Sequence, residues 1–496
     1  MKKRLAIPLL LAGSLTITAC SDKNDEHMEG MDMSHSDNSS KQGMNMEMGH
    51  NESISLKDST GENELNMPAI LKADSQSDNE VTYTVDARQG QSELFKGTKT
   101  NTLGYNGSFM GPVLKLKKGQ NVHIKTKNSL QEDTTFHWHG LEVAGSADGG
   151  PHNVLKPGTT KELSFKVEQP AATLWFHPHV MGKTAKQVFN GLAGLIYIED
   201  DQENKLNLPN EYGKNDIPLI IQDKAFTETK QLNYDGVHNS DGTTGDTTVI
   251  NGTVNPRLTV DKGQIRLRLL NGSNARNYTF KLSNGQSFNQ IASDGGLLNE
   301  PVSMKELKLG PAERAEIIVD FSNTDEKTVS LIDGKDTVLL PIHFKEDTHN
   351  KKSGKLPGTL TTISLSEDLK QKPIDKKVEL FGMGNNVTIN GKPFDMNRID
   401  FTQKQGITEI WEIYNKPDHM GGMIHPFHIH GTQFKVVSIN GKQPPANEQG
   451  YKDTVLLDPG DRIKLAVSFP HKGIYMYHCH ILEHEENGMM GQIKVE

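Results

Sequence analysis

The densest group of chemically active side chains lies near the end of the chain, in Tyr477-His478-Cys479-His480-Ile481-Leu482-Glu483-His484-Glu485-Glu486-Asn487-Gly488-Met489-Met490. Thiolate, imidazole and thioether together are the ligands of an electron-transfer copper site, in which Cys and two His are trigonal and Met binds weakly along the axis. Successive side chains of a β-strand point to opposite faces. Cys479 should therefore face one way and its neighbours, His478 and His480, the other, so that one strand serves two metal sites.

Three further histidine clusters share this pattern. They are His137-Trp138-His139-Gly140, His177-Pro178-His179 and His425-Pro426-Phe427-His428-Ile429-His430-Gly431. In each cluster a His-x-His pair places two imidazoles on one face of a strand. With the pair around Cys479, the chain has four such pairs and eight such imidazoles. That number exceeds the need of one ordinary metal site and suffices for a cluster of three coppers.

The same alternation separates the remaining ligands into a mononuclear site. His425 comes three residues before His428 and so faces away from it if the strand continues. Cys479 likewise faces away from its two neighbours and provides a covalent path for electrons between the two sites. The predicted mononuclear ligands are His425, Cys479, His484 and the axial Met489, with Met490 as the alternative axial ligand.

Three related passages divide the chain into domains. Each begins with an Asn-Gly pair, at residues 106–107, 251–252 and 390–391, and continues as strand, Gly turn and strand with alternating apolar residues. The pairs lie about 140 residues apart, which is the size of one β-sandwich domain. We predict an all-β chain with three Greek-key β-sandwich domains, and one short helical turn at residues 482–488. The expected domain bounds are residues 66–200, 216–365 and 375–496.

The first and third domains correspond at their histidine clusters, but only the third has every ligand. Pro178 stands where the third domain has Cys479, Leu192 stands at the position of Met489, and Thr134 stands at that of His425. We therefore expect the first domain to contribute to the cluster and to lack the mononuclear site. The middle domain has no His-x-His pair. Four isolated histidines are expected to be surface or packing residues: His123, His152, His238 and His343.

These four motifs resemble those of the multicopper oxidase family, laccase-like enzymes with three cupredoxin domains. The resemblance covers about residues 67–496 and implies four copper ions, one type 1, one type 2 and a type 3 pair. It assigns the type 1 copper to His425, Cys479, His484 and Met489, and the type 2 copper to His137 and His428. It assigns one type 3 copper to His139, His177 and His480, and the other to His179, His430 and His478.

The resemblance also implies an activity. A reducing substrate gives electrons one at a time to the type 1 copper, and four electrons passing through Cys479 reduce O2 to water at the cluster. Two acidic residues match acids that the family places beside the cluster. They are Asp148, in Gly145-Ser146-Ala147-Asp148-Gly149-Gly150, and Glu485, directly after a copper ligand. We predict that both supply protons for water formation.

The substrate has more than one interpretation. Cu(I) oxidation in copper detoxification is favoured by Met420 and Met423, just before His425, and by the likeness of His-Trp-His-Gly-Leu-Glu-Val to the bacterial cuprous-oxidase branch. However, that branch often has a Met-rich insertion where this chain has only Met383 and Met396. The alternative is a broad laccase-like oxidase of phenols, Fe(II) or Mn(II). A third hypothesis is a non-enzymatic copper-binding lipoprotein or a copper-less scaffold.

The N-terminal residues carry export and metal-binding signals. Residues 1–20 combine a positive start, an apolar run and a small-residue cleavage site at Cys20, which resembles a bacterial lipobox. The run is too short to cross a bilayer, so we predict export and lipid attachment at Cys20, on the outer face of the cytoplasmic membrane or in the periplasm or cell envelope. Residues 21–65 are polar and are predicted to be a disordered tether. Soft ligands that select Cu(I) crowd its first part: His27, Met28, Met31, Met33, His35, Met44, Met46, Met48 and His50.

Composition limits the partners. The chain has 54 Lys and Arg against 63 Asp and Glu, and its net charge of -9 argues against a nucleic-acid partner. The expected partners are O2 and a small reducing substrate, either Cu(I) or a phenol-like compound. We expect contact with the membrane through the lipid anchor only, and a monomer.

Overall fold

The computed structural model describes residues 54–334, 336–345, 354–419 and 421–496. The predicted signal peptide with Cys20, the Met- and His-rich residues 27–50, and Met420 lie outside these residues. Within the described residues, six sheets pair into three two-layer sandwiches that follow one another along the chain. The predicted all-β fold with three β-sandwich domains is confirmed.

The first domain follows a short strand, β1 (Asn63–Glu64), that belongs to a sheet of the second domain. Its own strands are β2 (Ser75–Gln76), β3 (Glu80–Phe95), β4 (Thr98–Tyr105), β5 (Val113–Lys117), β6 (Asn121–Asn128), β7 (Thr160–Lys166), β8 (Ala172–Phe176) and β9 (Gly194–Glu199). One sheet has the order β2-β3-β6-β7 with β4 beside β3, and the other has the order β5-β9-β8. A helix, α1 (Thr184–Phe189), follows β8, and 3-10 turns lie at Pro151–Asn153 and Glu203–Lys205.

The second domain is the largest sandwich. It contains β10 (Asp216–Lys224), α2 (Tyr234–Val237), β11 (Thr247–Ile250), β12 (Thr253–Val254), β13 (Pro256–Val260), β14 (Gln264–Asn271), β15 (Tyr278–Leu282), β16 (Phe288–Ser293), β17 (Gly296–Met304), β18 (Leu307–Leu309), β19 (Arg314–Asp320), β20 (Thr328–Asp333) and β21 (Thr337–Phe344). Its sheets have the orders β1-β13-β21-β20-β15-β18 and β12-β11-β10-β14-β19-β16-β17.

The third domain carries the sequence described first. It contains α3 (Glu367–Gln371), β22 (Lys376–Phe381), β23 (Thr388–Ile389), β24 (Phe401–Gln403), β25 (Glu409–Asn415), β26 (His425–Ile429), β27 (Phe434–Ile439), a 3-10 turn (Ala446–Glu448), β28 (Tyr451–Lys452), β29 (Thr454–Leu457), β30 (Arg462–Val467), β31 (Gly473–Cys479), α4 (Leu482–Glu486) and β32 (Met490–Val495). Its sheets have the orders β23-β22-β25-β30-β27-β28 and β24-β32-β31-β26-β29.

The three domains share a pairing pattern. An early strand of each pairs in parallel with a later one, β3 with β6, β10 with β14, and β22 with β25. The later strand then pairs antiparallel with the next, β7, β19 or β30. The Asn-Gly turns also form as expected: Asn251 and Gly252, between β11 and β12, have φ of 51° and 78°. Positive φ at both positions suits a type I′ hairpin turn.

The structure differs from the prediction at residues 54–65, here called the N-terminal strap. The backbone N–H groups of Lys57 and Ser59 donate to carbonyls of the second domain at 2.8 and 2.7 Å. Strand β1 pairs in parallel with β13, and the side chain of Leu65 is buried in the core of that domain. Polar composition predicted disorder, but pairing with a free sheet edge uses backbone groups and needs few apolar side chains. Among the described residues, no helix is both long and apolar enough to cross a bilayer.

Candidate metal centre

The two faces of the sheet that contains β26 and β31 carry different potential ligands. In this antiparallel pair His428 lies opposite His478, and Phe427 lies opposite Cys479. Directly opposed residues point to the same face, so both histidines face one side and Cys479 faces the other. His425 precedes Phe427 by two residues and therefore shares the face of Cys479. The alternation predicted from the sequence is present in the sheet.

His425, Cys479 and His484 form a compact group on one face. Their potential ligand atoms all lie within 4.8 Å of one another, and all three residues are buried. Cys479 Sγ lies 3.8 Å from His484 Nδ1. Helix α4 carries His484 back towards Cys479 directly after β31, and it occupies the place where a helical turn was predicted.

Of the two candidate axial ligands, Met489 faces this group. Met490 lies opposite His478 in the pairing of β31 with β32, which places it on the other face. Met489 packs with Cys479 in the core of the third domain, and its carbonyl accepts a hydrogen bond from the Cys479 N–H at 3.0 Å. The geometry therefore favours Met489 over Met490.

The eight histidines of the His-x-His pairs are buried and converge where the first and third domains meet. His478 Nε2 lies 3.1 Å from His179 Nε2 and 3.1 Å from His430 Nε2. Three ring nitrogens from three different motifs therefore point at one place. Such convergence of nitrogen donors is suited to a metal ion.

Beside the first group, His139 and His177 form a group of potential ligands with His137. His139 Nδ1 is 3.3 Å from His177 Nε2. The ring of His480 lies near both, with centroid distances of 5.1 Å to His139 and 5.3 Å to His177. His139, His177 and His480 are the predicted ligands of one type 3 copper.

His137 and His428 complete the cluster. Their Nδ1 atoms lie 3.1 and 2.8 Å from the backbone carbonyls of Asp148 and Asp453. A carbonyl can only accept, so each Nδ1 carries the proton and each Nε2 presents a lone pair. A hydrogen bond to the second nitrogen is the usual way to orient a metal-binding imidazole.

Several buried nitrogens have no hydrogen-bond partner in the protein. Among the proposed histidine ligands these are Nε2 of His137, His425, His428 and His484, Nδ1 of His179, and both ring nitrogens of His480. Leaving a buried polar atom unpaired costs about 1–3 kcal/mol. A concentration of unpaired ring nitrogens in one place therefore indicates positions for bound metal ions. Imidazoles with one thiol and one thioether form a donor set that suits copper.

Burial keeps the imidazoles in the form that binds metal. Desolvation is the largest cause that lowers the pKa of His425, to about 4, and it lowers the pKa of His428 as well. Desolvation and neighbouring imidazoles hold the pKa of the other histidines well below the usual value: His139, His177, His179, His430, His478, His480 and His484. Burial raises the pKa of the Cys479 thiol. A bound metal ion reverses that preference, because a coordinating thiol is deprotonated.

Three models of multicopper oxidase domains match the chain, at residues 86–203, 215–330 and 369–496. Together they cover most of the described residues and contain all four histidine motifs. The chain belongs to the multicopper oxidase family. It is therefore a copper-dependent oxidase that uses O2 and a reducing substrate.

Individual multicopper oxidases resemble it over most of its length. A multicopper oxidase of Staphylococcus aureus is 54% identical over 440 residues, covering 89% of this chain and 94% of that protein. The crystal structure of a laccase from Pediococcus acidilactici superposes with a TM-score of 0.85 at 44% identity, covering 89% of this chain and 95% of the laccase. The cell division protein FtsP of Escherichia coli is 35% identical, covering 80% of this chain and 86% of FtsP. The family thus includes relatives whose names denote different roles.

The two acids predicted to serve the oxidase cluster both face it. Asp148 Oδ2 accepts a hydrogen bond from His430 Nδ1 at 2.8 Å. Glu485 Oε1 lies 3.3 Å from His179 Nδ1, and its Oε2 lies 3.4 Å from His478 Nδ1. Burial, together with the nearby carboxylates of Glu486 and Glu483, raises the pKa of Glu485 well above its usual value. A carboxyl held in this way can carry a proton near neutral pH.

One buried acid of the oxidase cluster was not predicted from the sequence. Asp453 Oδ1 lies 3.0 Å from His139 Nε2, and its backbone carbonyl accepts from His428. It precedes β29, in Lys452-Asp453-Thr454, with no histidine nearby in sequence. Only the register of β29 beside β26 brings it to the cluster, so spacing along the chain gave no signal.

The four isolated histidines that were predicted to be surface or packing residues contact side chains outside the cluster. His123 contacts Ser164, His152 contacts Gln492, His238 contacts Tyr234 and His343 contacts Thr328. None belongs to a group of potential metal ligands among the described residues.

Proposed function

We propose that this oxidase holds four copper ions in the arrangement implied by its motifs. His425, Cys479, His484 and Met489 hold the type 1 ion, and His137 with His428 hold the type 2 ion. His139, His177 and His480 hold one type 3 ion, and His179, His430 and His478 hold the other. The observation that carries the proposal is the sheet register, which puts Cys479 on one face of β31 and His478 on the other.

Copper bound in this arrangement supplies the redox chemistry, the one-electron oxidation of a substrate and the four-electron reduction of O2 to water. The chain positions the donors and excludes water, since Cys479 and all the proposed histidine ligands are buried. Cys479 is bonded directly to His478 and His480, which makes the covalent path between the two faces as short as a chain allows. Asp148 and Glu485 lie beside the cluster imidazoles, in position to relay protons for water formation.

We propose Cu(I) as the substrate, oxidised to Cu(II) in copper detoxification. The support is the run of Met and His at residues 27–50, which combines soft ligands that select Cu(I). In addition, Met423 packs partly buried against the core that contains Cys479 and Met489. The signal sequence indicates export and a lipid anchor at Cys20. These would place a monomeric enzyme outside the cytoplasmic membrane, where it could oxidise Cu(I) before the ion enters the cell.

The alternative is a laccase-like oxidation of phenols, Fe(II) or Mn(II). Similarity to the laccase of Pediococcus acidilactici favours it. The third candidate, a non-enzymatic role, is disfavoured because this chain has the complete donor set for catalysis.

Oxygen uptake distinguishes the candidate substrates. Oxygen uptake by the copper-loaded protein would be measured with Cu(I) and with a phenol as the reductant. Two proteins would be used, the chain from residue 21 and a chain that begins at residue 54. The second chain keeps the N-terminal strap, so the second domain remains complete. A matched control keeps residues 21–53 but replaces their Met and His with Ser and Asn.

We expect Cu(I)-dependent uptake by all three proteins, with a lower KM for Cu(I) only where the Met and His are present. Uptake with the phenol and none with Cu(I) would reject the cuprous substrate. Absence of a blue thiolate band after copper loading, or of uptake with either reductant, would support the non-enzymatic role instead.

A further inference from the structure

Asp453 fixes the orientation of two cluster histidines from the third domain. Its backbone carbonyl accepts from His428 Nδ1 at 2.8 Å, and its carboxylate Oδ1 lies 3.0 Å from His139 Nε2. A carboxylate only accepts, so the proton of His139 lies on Nε2 and the lone pair on Nδ1. That Nδ1 faces His177 Nε2 at 3.3 Å, on the side where the proposed type 3 ion would bind.

The carboxylate of Asp453 is itself held by the middle domain. Arg314, the first residue of β19, donates from both terminal nitrogens to the two carboxylate oxygens, at 2.7 and 2.6 Å. This two-point contact fixes the plane of a carboxylate, which a lysine cannot do. Both residues are fully buried. Gln433 Nε2 and the Thr454 hydroxyl also donate to this carboxylate, at 2.8 and 2.9 Å.

Arg314 contacts all three domains. Its Nε donates to the carbonyl of Thr173 in the first domain at 3.2 Å, and its terminal nitrogens also donate to the carbonyls of Ala312 and Asp294 in its own domain. Every donor group of the guanidinium therefore has a partner, and the side chain has no freedom to adopt a second position. Such a rigid contact transmits the position of the middle domain to the cluster.

The surroundings leave no room for another arrangement. A Cβ on Gly140, directly after His139, would lie 2.7 Å from Asp453 Oδ2 and 2.8 Å from the Arg314 guanidinium. Among the other charged groups nearby, Lys452 Nζ lies 3.0 Å from Glu313 Oε1 and 3.6 Å from Asp294 Oδ2, and Asp294 Oδ1 lies 3.7 Å from Arg314 Nη1. Arg314 is thus the cation in contact with Asp453.

We propose that Arg314 is a positioning residue for the copper cluster: through Asp453 it fixes the tautomer and orientation of His139, so that the copper-free middle domain takes part in assembling the site. This inference rests on the proposed arrangement of the four ions. Removing Arg314 leaves Asp453 as a buried carboxylate without its cation and without the two donors that fix its plane, so the carboxylate can turn away from His139. His139 loses its fixed tautomer, and loss of a partner of this kind lowers metal affinity or activity by about tenfold to a hundredfold.

The test compares Arg314→Met and Arg314→Lys with matched variants of a second arginine. Arg266 lies in the same domain, is equally buried, and pairs with Glu316 and Glu203, away from every proposed copper ligand. Arg266→Met and Arg266→Lys therefore report the general effect of breaking a buried ion pair. The measurements are copper per chain, the blue thiolate absorption, the spectroscopic signals of the cluster ions, and apo-protein thermal unfolding.

We expect Arg314→Met to keep the blue absorption, because the ion held by Cys479 lies on the other face of the sheet. The same variant should bind the cluster copper at least about tenfold more weakly. Arg314→Lys should recover part of that loss, and both Arg266 variants should load like wild type at equal or lower stability. Equal cluster loading in Arg314→Met and wild type would overturn the role of Arg314. If Arg314→Met does not fold, the two lysine variants decide: equal copper retention in both overturns the inference.

The wild-type protein separates this failure from that of the proposed function. A wild type that binds the type 1 ion but no cluster ions would overturn the proposed arrangement itself. A wild type that loads all four, with unaffected Arg314 variants, would overturn only the positioning role.

Discussion

The chain after β8 in the first domain and the chain after β31 in the third have the same form but different chemistry. Each strand leads into a His-x-His pair and then a short helix. Each helix is followed by an asparagine, Asn190 or Asn487, and then by a glycine with positive φ. The third domain places a complete mononuclear ligand set around this turn. The first domain keeps only the histidines that face the cluster.

Hydrogen bonding in the first domain shows what occupies the place of the missing ion. Counting back three residues from each asparagine pairs Gln187 with His484. Thr134, which corresponds to His425, donates its hydroxyl hydrogen to Gln187 Oε1 at 2.8 Å, and both side chains are buried. Two polar side chains thus satisfy each other where the third domain presents two imidazoles. The domain fold tolerates either solution, so the metal site depends on few residues.

The largest effect should come from replacing Cys479, the residue in which the third domain differs most from the first. Cys479→Ser places an oxygen where the first domain has Pro178, and it removes the soft thiolate that holds a type 1 ion. We expect the blue absorption to disappear and substrate oxidation to fall to background, while the eight cluster histidines keep their copper. Absorption spectra and metal analysis check this, and blue absorption in Cys479→Ser would contradict the assignment.

The acids on the cluster side should give the next largest effect. Glu485→Gln and Asp148→Asn remove the carboxyl groups beside the cluster but keep the shape of the side chains. Positioned acids contribute about 10²–10⁴-fold to proton transfer, so O2 turnover should fall by about that much while the blue band persists. Asp86→Asn is the control, since Asp86 is a buried acid of the first domain that pairs with Arg88 instead of facing the cluster. Unchanged turnover in both acid variants would remove their proposed role.

A smaller effect should follow when the axial ligand is changed to the residue of the first domain. Met489→Leu copies Leu192 and removes only the weak axial donor, whose main influence is on reduction potential. The type 1 ion should remain bound and blue, its potential should rise, and turnover should change by at most about tenfold. Met490→Leu is the matched control. If that variant rather than Met489→Leu shifts the potential, Met490 is the axial ligand.

The smallest effect should come from the first domain. Thr134→Val removes the hydroxyl that pairs with Gln187, and a lost buried hydrogen bond costs about 1–3 kcal/mol of the free energy of unfolding. Copper content and turnover should not change. Denaturant unfolding measures the first effect, and Thr126→Val, which removes a hydrogen bond to Lys161 in the same domain, is the control. Loss of copper in Thr134→Val would show that this pair supports the cluster directly.

The sequence was sufficient where a strict alternation governs the structure. The separation of Cys479 from His478, the three sandwiches and the helical turn that carries His484 all follow from period-two patterns and turn residues. Glu485 and Asp148 were also expected beside the cluster, because they match acids that the multicopper oxidase family places there.

The remaining features depend on contacts between distant segments. Asp453 and Arg314 are single charged residues with no diagnostic spacing, and only the packing of three domains brings them to the cluster. The N-terminal strap was predicted to be disordered because side-chain composition does not reveal backbone pairing with a free edge. Both differences arise from tertiary contacts that override local composition.

The N-terminal strap also determines how the molecule responds to a pull from its N-terminus. β1 runs parallel to β13, and further backbone hydrogen bonds from Lys57, Ser59 and Leu65 join it to the same domain. Tension along the strap loads these bonds together in shear. The load falls on the middle domain, while the ligand-bearing strands β26 and β31 of the third domain lie outside its path. When the enzyme is held by its N-terminal end, the load therefore enters through the middle domain and not directly through the ligand-bearing strands.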